Sequence, residues 1–124
     1  MAKIQDLLQE NHIALLLELA NLSCHKGLPT AARTIADGIL ALKPGFPPAL
    51  ISLAYSHVVV DDFDHALEIL EPLLKDNPED SDARIIQGMA LLLAQRQAEA
   101  KEAFSHIPED APQKILATEL LKAL

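Results

Sequence analysis

Five histidines, one cysteine and eighteen carboxylates are the side chains of this 124-residue sequence equipped to carry protons, attack a carbonyl or hold a cation. His57 and His65 flank Asp61-Asp62-Phe63-Asp64, and imidazole with carboxylate suits divalent metals. The run lacks the glycine and the distal glutamate of a calcium loop, and no two histidines stand at the i, i+4 spacing of a metal-binding helix. Charge runs are ordinarily solvated faces, so the segment reads as an exposed inter-helix turn; an enzyme reading survives only if that turn holds a metal. Cys24 and His25 have the residue types of a thiolate and its base, yet neighbours on a helix point about 100° apart. Cys24 reads instead as a small apolar residue facing a groove or a neighbouring helix. The pairs Glu68/Glu71 and Glu99/Glu102 would need an enclosing cleft to work as acid and base. There is no Gly-rich phosphate loop and no G-x-S-x-G turn. The expectation is a non-enzyme with no metal and no cofactor.

The elements that position these residues follow from composition. Half the residues are apolar and only 3% aromatic, with Leu and Ala dominating, which favours helices over sheets and fills the core of one all-α domain. A net charge of −8 repels phosphate backbones and anionic lipid, so nucleic acid is excluded as a partner. Residues 45–80 concentrate that charge, with eight carboxylates against Lys75 alone. The single cysteine forms no internal disulfide, and Asp6 and Glu10 interrupt any leader-like segment. The apolar run Ile13 to Leu17 is too short for membrane insertion. These features read as cytoplasmic.

Pro44 and Pro78 lie 34 residues apart and reveal an internal repeat. In frames opening at Ile13, Pro47 and Ser81, position eight holds Ala20, Ala54 and Gly88, and position twenty holds Ala32, Ala66 and Ala100. Small residues in register allow helices to approach closely, and each frame divides into two amphipathic halves. Gly27 marks the first turn, and Asp62 or Asp64 suits the N-cap of the helix that follows the second. Pro72 is expected to bend that helix late in its course. After Pro108, a final helix over 112–124 presents Ile115, Leu116, Leu120, Leu121 and Leu124 to cover the last core edge. Ile4, Leu7 and Leu8 form either a short leading helix over 3–11 or an extension of the first repeat helix.

The 34-residue period, the small residues at positions eight and twenty, Gly27, Phe104 at position twenty-four and the closing prolines resemble the tetratricopeptide repeat family over residues 13–108. The frames are 13–46, 47–80 and 81–108. The aromatic columns depart from the pattern, with Leu16, Leu50 and Arg84 at position four and Ser23, His57 and Leu91 at position eleven; the third frame departs most. The resemblance implies a solenoid of three helical hairpins whose first helices line a peptide-binding groove. Its wall then comprises Leu17, Asn21, Cys24 and His25, then Ile51, Tyr55, Val58 and Val59, then Ile85, Met89, Leu92 and Leu93. Family members that clamp acidic C-termini need cationic and amide donors where this chain has Leu17, Ile51, Ser52, Asp82 and Ile86. A mainly apolar wall fits the apolar face of an amphipathic helix. Size, acidity and groove character are similar to the small chaperones of bacterial type III secretion systems. That similarity implies a chaperone or adaptor that masks a secreted or polymerising subunit, often together with a second small chaperone. The alternative is a structural scaffold or self-associating subunit with no release step.

Overall fold

The computed structural model describes residues 10–123, with side chains from 12 onward. Ile4, Leu7 and Leu8, weighed as a leading helix, and Leu124 lie outside them. The described residues form seven helices and no strand: α1 Glu10–His25, α2 Pro29–Leu42, α3 Pro47–Val58, α4 Phe63–Asp76, α5 Ser81–Leu93, α6 Gln97–Ser105 and α7 Pro112–Lys122. Helices adjacent in sequence pack as antiparallel-type hairpins, and α1, α3 and α5 also touch one another in series. The architecture is an all-α solenoid. Proline opens α2, α3 and α7, where its missing N–H and fixed φ cost a helix nothing.

The turn inside each hairpin is built three times in the same way. Gly27, Asp61 and Gln95 all adopt left-handed backbone, with φ of 74°, 62° and 64°, and they stand one period apart. The N–H of the next residue reaches back five positions in each case: Leu28 to Ser23 at 2.7 Å, Asp62 to His57 at 2.9 Å and Arg96 to Leu91 at 2.8 Å. These bonds close the end of α1, α3 and α5 in the manner of a Schellman motif, which glycine adopts without strain. Only the first of the three turns has its glycine.

Packing follows the repeat columns. Ala20, Ala54 and Gly88 at position eight are buried, as are Ala32, Ala66 and Ala100 at position twenty. Position twenty-four faces position eight's helix with a residue that grows along the chain, from Ala36 through Leu70 to Phe104, each buried. In the third hairpin the absent side chain of Gly88 makes room for that ring: a Cβ there would fall 2.0 Å from a Phe104 carbon. The frame that departs most from the family's aromatic columns is therefore closed by its own aromatic, and Leu91 at its position eleven is core. Arg84 lies half-buried with its Nε donating to the Pro78 carbonyl at 2.8 Å.

One apolar cluster runs from Ala54 to Ala117 and joins α3 to α7, whereas the first hairpin enters two small clusters, one in which Ile13 and Ile39 meet Ala49 of α3 and one around Ala20, Cys24 and Ala32. α4 continues past Pro72 to Asp76; Pro72 and Glu68 are exposed, so water satisfies the carbonyl that loses its N–H partner. α7 packs against α5 and α6. Its inward stripe is Ala117, Leu120 and Leu121, and this corrects the expected set, because Ile115 and Leu116 point outward at 72% and 47% exposure. Lys114 and Gln113 fix the helix by donating to the Phe104 carbonyl and to Asp82 Oδ1. With these two polar anchors on its inner face, the apolar stripe is restricted to the following two turns.

Candidate functional site

A cleft of about 440 Å³ crosses the first helices of the three hairpins. α1 contributes Leu17, Asn21 and His25; α3 contributes Pro47, Pro48, Ile51, Ser52 and Tyr55; α5 and its cap contribute Asp80, Asp82, Ile85 and Ile86. The four-residue spacing of Leu17, Asn21 and His25, and of Ile51 and Tyr55, puts each set on one stripe of its helix. Asp80 holds its place by accepting from the Ala83 N–H at 3.1 Å as the N-cap of α5.

Hydrogen bonds between the first and second hairpins run along the cleft floor. Ser52 Oγ donates to Asn21 Oδ1 at 3.0 Å, and the Tyr55 hydroxyl lies 3.1 Å from His25 Nδ1, with the two rings meeting edge to face. Behind them Arg33 donates from Nε to Ser56 Oγ at 3.1 Å and from Nη2 to the Ser56 carbonyl at 3.2 Å, tying α2 to the end of α3. Burial raises the pKa of the Tyr55 hydroxyl, so it remains a neutral donor.

Leu17, Asn21, Ile51, Tyr55 and Ile85 thus come together at the cleft. Cys24, Val58 and Leu92 do not line it and lie in the core, whereas Ile85 and Ile86, likewise buried members of that core, also line the cleft. Val59 and Met89 are half-buried and pack against that core outside the cleft, and Leu93 is exposed. Cys24, Val58 and Leu92 each stand seven residues, two turns, beyond Leu17, Ile51 or Ile85 on nearly the same stripe, at the helix end where neighbouring helices cover that stripe. The wall is also less apolar than expected, because Asn21, His25, Ser52, Asp80 and Asp82 share it. Missed by the sequence reading were the two prolines opening α3, which line the cleft, and Asp80; the helix-start pattern Pro47-Pro48 is the signal that would have placed the prolines.

The thiol of Cys24 has a raised pKa, chiefly through burial and against the pull of Arg33, so it stays protonated. His25 engages Tyr55 rather than the thiol. The carboxylates weighed as acid–base pairs are exposed, and Glu99 is held by Arg96 at 3.0 and 2.6 Å. Asp62 occupies the N-cap of α4 but makes no cap hydrogen bond; its Oδ2 lies instead 3.2 Å from His57 Nδ1 and 2.7 Å from His65 Nδ1.

Among the described residues no helix is long and apolar enough to cross a membrane. No curated protein sequence matches the chain. The first tetratricopeptide domain of the human RPAP3 protein, solved by NMR, is similar in fold: the TM-score is 0.76 at 21% identity, covering 90% of this chain and 87% of that one. A family model described as tetratricopeptide repeat matches residues 51–114, a little over half of the sequence. Turns, small-residue columns and hairpin packing agree with that match, and the chain belongs to the tetratricopeptide repeat family, whose arrays serve as protein-interaction scaffolds.

Proposed function

We propose that the cleft binds the apolar face of an amphipathic helix from a protein partner, and that the chain is a cytoplasmic chaperone or adaptor masking a secreted or self-assembling subunit. The observation that carries this reading is the cleft's lining, in which Leu17, Ile51, Ile85 and Ile86 form an apolar strip beside Asp80 and Asp82, with no Lys or Arg among the lining residues. Burying about 300 Å² of apolar ligand surface contributes roughly 7 kcal/mol before ordering costs. The two carboxylates select a helix whose polar margin is basic and disfavour an acidic one.

Fluorescence anisotropy with two labelled amphipathic peptides tests it, both sharing one apolar face, one with lysine and one with glutamate margins. The lysine peptide should bind at least about tenfold more tightly, Asp80→Asn with Asp82→Asn should narrow that gap, and Ile51→Glu should abolish binding with helicity retained. Equal binding of both peptides, or binding that survives Ile51→Glu, rejects the cleft. The scaffold reading has its own support in Leu15, Leu19 and Leu22, which form an exposed stripe on α1 at 61%, 49% and 51%. A concentration-independent monomer in sedimentation removes it.

A further inference from the structure

The turn between α3 and α4 gathers three metal-ligating side chains that the cleft does not use. His57 comes from the last turn of α3, Asp62 from the N-cap of α4 and His65 from the first turn beyond it. Their ligand atoms all lie within 4.8 Å of one another, with Asp62 Oδ2 between the two Nδ1 atoms at 3.2 and 2.7 Å. The imidazole rings stand 5.0 Å apart and tilted by 33°, so both present the same edge to the carboxylate. Ligands of a tetrahedral ion at about 2.0–2.1 Å are separated by about 3.3 Å, near the two distances to Asp62, so a rotation of the exposed His65 side chain suffices to close the set.

We propose that His57, Asp62 and His65 form a binding site for one Zn²⁺-like transition-metal ion, leaving a fourth position open to water or to a partner's side chain. Two nitrogens and one carboxylate oxygen favour zinc, nickel or copper over calcium and magnesium, which require more oxygen ligands. His57 Nδ1 cannot donate to Asp62 and accept from Arg33 Nη2, 3.4 Å away, at the same time. A metal takes the ring's lone pair and the carboxylate together and removes that conflict. Arg33 stays on Ser56, where its hydrogen bonds are shorter. Its positive charge opposes the ion, and the charges of Asp62 itself and of nearby Glu68, which acts on His65, oppose Arg33. Side-chain exposure falls from 61% at His65 through 40% at Asp62 to 16% at His57, so an ion enters from the His65 side. Bound there, it would staple the end of α3 to the start of α4.

Isothermal titration of the chelator-treated full chain with Zn²⁺, paired with Co²⁺ absorption spectra, tests the site. One ion per chain is expected, with a low-symmetry four-coordinate cobalt spectrum and a rise in Tm on adding Zn²⁺. His65→Ala, a surface change that spares the fold, should weaken binding at least about tenfold and abolish the Tm rise, and Asp62→Asn should do likewise. His106→Ala should leave both unchanged. Absence of binding to the wild-type chain, or undiminished binding in a His57→Ala, His65→Ala double variant that keeps its helicity, overturns the proposal.

Discussion

The first and third hairpins are built on one plan and filled differently. In the third, Phe104 lies against Gly88 within a cluster that also takes in α7. In the first, the same two positions are Ala36 and Ala20, the clusters are small, and Leu15, Leu19, Leu22 and Leu28 remain exposed. The first hairpin is joined to the second both by polar bonds from Asn21, His25 and Arg33 and by small apolar contacts, of Ile13 and Ile39 with Ala49 and of Ala20 and Cys24 with Tyr55 and Val59. The second and third share an apolar interface through Ala54, Leu70, Leu73, Leu74, Ile86 and Ala90. In a repeat array each unit is stable in proportion to its own packing and that of its nearest neighbours. The difference therefore makes the third hairpin the anchor and the first the adaptable part, and the cleft spans both.

Giving the third hairpin the first one's residue is the most severe way to test this. Phe104→Ala should cost about 3–5 kcal/mol by chemical denaturation, since the cavity lies where nothing can collapse into it; a loss below about 1 kcal/mol would show the two ends to be equivalent. Gly88→Ala should cost about 1–3 kcal/mol by driving a methyl into the ring, and Phe104→Leu in the same chain should recover part of the loss. Strict additivity of the two changes would contradict the close fit. Arg33→Met should cost about 1–2 kcal/mol, with hydrogen exchange accelerating in α1 and α2 and staying slow in α5. Uniform acceleration would mean that the array opens as one body.

Gln95→Gly should stabilise by about 0.5 kcal/mol, the relief of left-handed strain less the backbone freedom glycine adds to the unfolded chain. The smallest effect is in titration of the metal-free chain. The hydrogen bond and charge of Asp62 raise the pKa of His65, whereas burial, with Arg33, lowers that of His57. Histidine NMR should place their midpoints on opposite sides of about 6.5. Stability from His65 is then full below that value and lost as pH rises through its raised folded pKa. His57 works the other way, removing stability as pH falls below about 6.5. Asp62, whose pKa is lowered first by the hydrogen bond from His65, contributes above about 3.9, and that contribution is lost as pH falls through its lower folded value. Coincident histidine midpoints would dissolve the triad.

The helical fold was legible in the sequence because alanine and glycine recur in register, and those columns are the points of closest helix approach. The shared turn was only a third legible: Gly27 announces left-handed backbone, while Asp61 and Gln95 adopt it under the pull of a five-residue back bond invisible in residue type. The cleft was half legible. Leu17, Ile51 and Ile85 share a stripe with Cys24, Val58 and Leu92 two turns further on, and how much of that stripe stays open depends on where the adjoining hairpin settles. His57, Asp62 and His65 were visible in the sequence as two histidines flanking an acidic run, but they match no metal-binding spacing and come within ligand distance only as the chain reverses between α3 and α4.

The increase from Ala36 through Leu70 to Phe104 has a consequence for synthesis. Within this array the ribosome makes the most sparsely packed hairpin before the other two, with little to hold it, and the ring that locks the array follows only in the third. Stable closure must then propagate backward, from the third hairpin toward the first, and a nascent chain stalled before Phe104 leaves its oily surfaces to whatever holds nascent chains in the cell.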